Sequence, residues 1–187
     1  MRTQRVIAGV VVGISLAVAG GSVEARDKSF HAHFAGTDSS AAEYTFPGAT
    51  PGADYIVVAG KSTLGTYTAQ AVSAWTADNK TCTPPGGGSG VEIAGVAEVF
   101  VLSFTRTGEQ LFLNLSPGQV GCCSDTGVCT GQITFAVNGG TGRFAGATGT
   151  IVKTVTAFKL APPDSPSSQG FFGSFTGTFD GTIELAK

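Results

Sequence analysis

Gly139-Gly140-Thr141-Gly142-Arg143-Phe144-Ala145-Gly146-Ala147-Thr148-Gly149 puts five glycines into eleven residues. On either side lie strand-like runs, 132–137 and 150–158. Glycine takes positive φ and lets another chain pass close by without steric cost. The stretch therefore reads as a tight, kinked connection between antiparallel strands, with Gly140, Gly142, Gly146 and Gly149 as the structural turn positions. A phosphate-cradling reading fails on context. A dinucleotide fingerprint is G-x-G-x-x-G opening a helix, with an acidic residue about 20 residues further on. Here the glycine spacing is wrong and Thr150-Ile151-Val152-Lys153-Thr154-Val155-Thr156 is β-branched strand sequence. No Asp or Glu falls between Gly149 and Pro163.

Beyond the turn, the same economy of side chains recurs. Phe171, Gly173, Phe175, Gly177, Phe179, Gly181 and Ile183 share one face of a final strand, with Ser and Thr dominating the other. Phenylalanine alternating with glycine lets a strand bend around large rings, which suits a closed barrel. Earlier in the chain, Phe30, Ala32 and Phe34 share a face opposite His31 and His33. Residues 38–44 suggest a short turn or helix, and 46–52 a Pro-Gly loop. Strands are expected over 55–60 and 65–75, then a loop over 78–90 carrying Cys82 and the Pro84-Pro85-Gly86-Gly87-Gly88 run. A hairpin follows, with strands 96–105 and 110–115 about the turn at 106–109. On its first strand Glu98, Phe100, Leu102 and Phe104 share a face, and the other face is apolar too, so both need cover. Residues 116–131 read as a loop held by three cysteines, and 161–170 as a proline-rich polar loop. No segment after residue 25 keeps a 3.6-residue apolar period. Roughly seven to nine strands joined by turns point to an all-β protein, a single up-and-down antiparallel barrel of about eight strands.

Residues 1–25 read as a cleavable signal peptide. Arg2 and Arg5 precede an apolar run over 6–19, and Val23-Glu24-Ala25 is a small-x-small cleavage site. The barrel domain is then 26–187, and the destination secreted or periplasmic. The apolar run is too short and too glycine-punctuated for a good spanning helix, so no stable membrane insertion is expected after cleavage. Removing this segment lowers the 11 basic and 13 acidic residues to 9 and 12. With no basic patch or charge run, nucleic acid is not an expected partner. Cys82, Cys122, Cys123 and Cys129 are an even count in an exported chain, which reads as two disulfides. Three connectivities exist. Adjacent cysteines bridge poorly, which favours Cys82 with one of Cys122 and Cys123, and Cys129 with the other. Zinc ligation would want paired C-x2-C or nearby histidines, so no metal and no cofactor are expected.

The glycine turn, the Gly173-Ser174-Phe175-Thr176-Gly177-Thr178-Phe179 strand and Leu64-Gly65-Thr66-Tyr67-Thr68 together resemble the allene oxide cyclase and dirigent barrel superfamily, in particular its exported bacterial members. The likeness spans roughly 55–185. It implies an eight-stranded, calycin-like barrel with an apolar lumen, assembled as a homodimer or homotrimer. Plant members cyclise an unsaturated epoxide or steer radical coupling. Their functional residues do not carry over: Arg143 falls inside the turn, and Glu98 matches the cyclase glutamate by chemistry alone.

Chemistry-bearing residues are few. Glu98 is the candidate acid or base: on a lumen face burial would raise its pKa, whereas on a strand end it would sit in solvent. Lys153 and Lys159 share a face with Ile151, Val155 and Ala157 and read as strand exits or a solvated exterior. Tyr67, Trp75, Phe100 and Phe104 are the residues expected to line a ligand pocket. No nucleophile elbow or metalloprotease motif occurs. Three functions compete: a barrel binding a small hydrophobic ligand, a cofactor-free isomerase or cyclase, and an envelope protein acting through self-assembly. An empty apolar lumen favours the first, an empty lumen with Glu98 beside a polar partner the second, and a lumen filled by Phe rings the third.

Overall fold

A computed structural model describes residues 26–41, 53–159 and 172–186. Among these the chain forms nine strands: β1 (Arg26–Ala41), β2 (Ala53–Ser62), β3 (Gly65–Cys82), β4 (Gly90–Phe104), β5 (Gln110–Leu115), β6 (Val120–Ser124), β7 (Val128–Gly140), β8 (Thr148–Lys159) and β9 (Phe172–Leu185). All pairings are antiparallel, and β9 returns to β1 while β3 joins β4, so the sheet closes into an eight-stranded barrel. β5 and β6 share one place in the wall. β5 pairs with β4 and β7 at one end and β6 pairs with the same two strands at the other. Gln119 stitches the break between them: its carbonyl accepts from the Gly95 N–H and its side-chain oxygen from the Thr134 N–H.

Several boundaries differ from the sequence expectation. Residues 38–41 continue β1 instead of turning, because Asp38 and its neighbours pair with both β2 and β9. β3 runs on to Cys82 through a region read as loop. The cysteine stretch 116–131 contains β6 and the start of β7. Its glycines and cysteines hide the alternation that would reveal a strand. The segments 1–25, 42–52 and 160–171 and residue 187 lie outside the described residues, and with them the expected signal peptide, the Pro-Gly loop over 46–52 and the proline-rich loop over 161–170.

Alternation sets the core. Phe30, Ala32 and Phe34 on β1, Phe100, Leu102 and Phe104 on β4, and Phe175, Phe179 and Ile183 on β9 all point inward and are buried. Gly177 lies between the last two rings' positions for a steric reason. A β-carbon there would stand 2.1 Å from the Thr154 carbonyl oxygen and 2.6 Å from Cζ of Phe34. At the β7–β8 end a single 3-10 turn, Gly142–Phe144, folds Phe144 into the barrel mouth. Its ring is fully buried and stacks on Phe104 with centroids 5.0 Å apart. Arg143 covers both rings, pairs with Glu109 at 3.1 Å and donates to the Leu64 carbonyl. The glycine turn is thus a plug. The outer face of β4 is less covered than its apolar sequence suggests, with Val99 46% exposed.

Candidate functional site

The lumen is unequal along its axis. Between the plug and mid-barrel it is filled: Tyr67, Phe100, Phe104, Phe135, Phe179, Leu102, Leu111 and Leu113 are all essentially inaccessible. Towards the opposite rim it opens into a cavity of about 250 Å³. The change coincides with a bulge in β4. Opposite β3 the register slips between Ala74 and Trp75, leaving Val96 unpaired. The slip turns Gly95 and Ile93 inward where Glu98 and Phe100 had set the opposite parity. Gly95 leaves room for the Trp75 ring, which would lie 3.3 Å from any β-carbon there.

Glu98 and Lys153 form the cavity floor. Glu98 is 1% and Lys153 4% exposed, and the Lys153 Nζ donates to Glu98 Oε1. The ammonium also sits over the Phe100 and Phe135 rings, 4.8 and 5.2 Å from their centroids. The aromatic half of the lumen therefore helps to hold a charge that burial alone would expel. Burial raises the Glu98 carboxyl above its ordinary range, and Asp54 adds to the shift, against the pull of Lys153. Lys153 departs from the expectation of a solvated strand exit: the β8 face it shares with Ile151 and Val155 is the inner one, and Glu98 across the barrel is its partner. The Lys159 side chain lies outside the described residues.

Two more carboxylates join the wall. Asp38 on β1 is 9% exposed, and its pKa is pushed up to about 6, by burial first and then by the charge of Asp54. Hydrogen bonds from its own backbone N–H and that of Gly173 oppose the shift. Asp54 on β2 stands beside Ser73 of β3, which in turn faces Glu98 of β4. Ser73 accepts the Trp75 indole N–H at 2.5 Å, which holds the ring against the cavity. Around these polar groups the wall is apolar: Ile56, Ile93, Ile133, Val155, Ala157 and Phe175. Two carboxylate oxygens, Asp38 Oδ1 and Glu98 Oε2, are buried without a hydrogen-bond partner among the described residues.

Both cysteine pairs brace this rim. Cys82 bonds Cys122, and Cys123 bonds Cys129 directly across the β6–β7 ladder, as the adjacency argument favoured. Cys123 and Cys129 are themselves part of the cavity wall. Of the four residues expected to line a pocket, Trp75 does so, while Tyr67, Phe100 and Phe104 lie in the filled half. Asp38, Asp54 and Ser73 were not singled out by sequence, and Lys153 was read as a strand exit or solvated exterior. The signal for Lys153 was present, a charge at the centre of a strand face it shares with Ile151, Val155, Ala157 and Lys159. Among the described residues no cluster of His, Cys, Asp and Glu has metal-site geometry, and no helix is long and apolar enough to cross a membrane.

No family model, no curated protein and no solved structure matches the chain. Its class is defined by architecture and site: a closed eight-stranded antiparallel barrel, packed solid at one end and hollow at the other, with a buried carboxylate–lysine pair between.

Proposed function

We propose that the protein is an exported binding barrel whose rim-side cavity takes one small, largely apolar molecule. The observation that carries this reading is the 250 Å³ hollow with an apolar wall and a polar floor. An eight-stranded barrel has an interior just wide enough to be filled by side chains or to hold one small ligand, and this one divides its length between the two. Apolar lining with a few convergent polar groups is the usual character of small-molecule sites. Export is supported by residues 1–25 in sequence and by two cysteine pairs at bonding distance, which suit an oxidising compartment. The likeness of the glycine turn and of β9 to allene oxide cyclase and dirigent barrels supports the same reading.

Trp75 is the sole tryptophan of the chain and lines the cavity, so its emission reports occupancy directly. Titration with toluene, phenol and benzyl alcohol is expected to shift that emission saturably. Emission unmoved by all three would remove the cavity as a ligand site.

A second reading is favoured by one observation, the Glu98 carboxyl held above its ordinary range inside the cavity and beside Lys153. Such a pair suits proton transfer in a cofactor-free isomerase or cyclase. In that case Glu98→Gln abolishes turnover of a converted ligand while leaving its binding within a few fold. Assembly through a solidly packed barrel has less support, because half of the lumen is open.

A further inference from the structure

We infer that the ligand of this cavity is a small organic cation, a protonated amine on an apolar body. The inference rests on the cavity being a binding site and names the chemistry of its occupant. Asp38 from β1, Asp54 from β2 and Glu98 from β4 face the hollow against one ammonium, Lys153 from β8. Lys153 is already engaged by Glu98 Oε1 and by two aromatic rings. What is left over is acceptor capacity. Asp38 Oδ1 and Glu98 Oε2 are buried and have no hydrogen-bond partner among the described residues. Both carboxylates line the same hollow.

A buried acceptor without a donor costs about 1–3 kcal/mol, and more when it is charged. A ligand that donates protons to both oxygens removes that cost, whereas one that brings another carboxylate adds repulsion to it. An ammonium does more than a hydroxyl, because it also brings an opposite charge to the Asp38 carboxylate. Its apolar body would meet Ile93, Ile133, Val155 and Phe175. Trp75 lines the same hollow, and tryptophan is the strongest aromatic partner for a cation.

Binding should depend on pH in a definite direction. Burial, and then the charge of Asp54, push the Asp38 carboxyl up to about 6. The charges facing it are Asp54, Glu98 and Lys153. As pH rises through that value Asp38 ionises, and affinity for a cation rises with it.

Benzylamine, benzyl alcohol and benzoate have nearly the same shape and differ in the polar group. Their dissociation constants are measured by Trp75 emission on the intact secreted chain. At pH 7.5 benzylamine is expected to bind at least about tenfold tighter than benzyl alcohol, as befits a charge-assisted hydrogen bond, with benzoate weakest. The preference should shrink at pH 5 and in Asp38→Asn, a nearly isosteric change. Equal or tighter binding of the alcohol or benzoate overturns the amine assignment and leaves the binding site standing. Binding of none of the three overturns both. An amine preference that survives in Asp38→Asn and in Glu98→Gln alike also overturns it, because the cation would then be held elsewhere.

Discussion

At the scale of single residues, the Glu98–Lys153 pair has the clearest consequences. Removing one partner leaves a buried group uncompensated, while replacing both by apolar or neutral residues of similar size is often tolerated. Lys153→Met should therefore cost about 3–5 kcal/mol of unfolding free energy near neutral pH. The loss should lessen in acid, as Glu98 takes up a proton. The double variant Glu98→Gln with Lys153→Met should recover most of it, and urea denaturation of the three variants checks the order. Asp38 gives a second test. Its folded pKa of about 6 lies above the ordinary 3.8, so between these values the folded state binds more protons than the unfolded chain. Stability contributed by Asp38 is thus full below the lower value and is lost as pH rises through the upper one. Glu98 acts in the same sense. Asp180, held low chiefly by its hydrogen bond with His31, and Glu109, held low chiefly by the Arg143 N–H, act oppositely and in more acid solution. Asp38→Asn should flatten the fall between about pH 4 and 6, which melting temperatures across that range would show.

At the scale of elements, glycine and phenylalanine divide the work of closing the barrel. Gly177→Ala would drive a methyl group into the Thr154 carbonyl and the Phe34 ring. A loss of about 2–3 kcal/mol is expected from such overpacking. Phe144→Ala would empty the plug, at about 3–5 kcal/mol, yet should leave ligand affinity unchanged because the plug and the cavity occupy opposite ends. Both costs can be read from denaturant midpoints.

Much of this was legible before any coordinates. The Phe-Gly alternation over 171–183 and the turn at 139–149 are local signals, and they led to a closed barrel. The Glu98 face was legible as a face, although alternation alone could not say whether it turned inward. What stayed hidden depends on distant partners. Lys153 sits in an apolar row that either side of a barrel wall would accept, and only Glu98 across the lumen and two rings beneath decide between them. Asp38 lay in a stretch rich in Ser and Ala, with too little alternation to extend β1. The cavity coincides with the Val96 bulge, whose one sequence mark, Gly95 inside the strand, does not say which way the flanking residues turn.

For the molecule as a whole, the two cysteine pairs tie the hollow end together where packing is thinnest. The Cys82–Cys122 bridge closes a span of 40 residues, worth about 4 kcal/mol on loop-closure grounds. Reduction, which also opens the short Cys123–Cys129 loop, should lower stability by at least about 4 kcal/mol and weaken ligand binding, since Cys123 and Cys129 are part of the cavity wall. Calorimetry with and without reductant tests both effects. The division of the lumen into a filled half and a hollow half is the claim on which site and function both rest. Amide chemical shifts recorded while benzyl alcohol is titrated into the isotope-labelled protein test it most directly. Perturbations should concentrate at Asp38, Asp54, Trp75, Glu98, Lys153 and Val155, with Tyr67, Phe104, Phe144 and Ile183 unmoved. Shifts centred on the Phe104–Phe144 end, or spread over the outer face of the barrel, would contradict it.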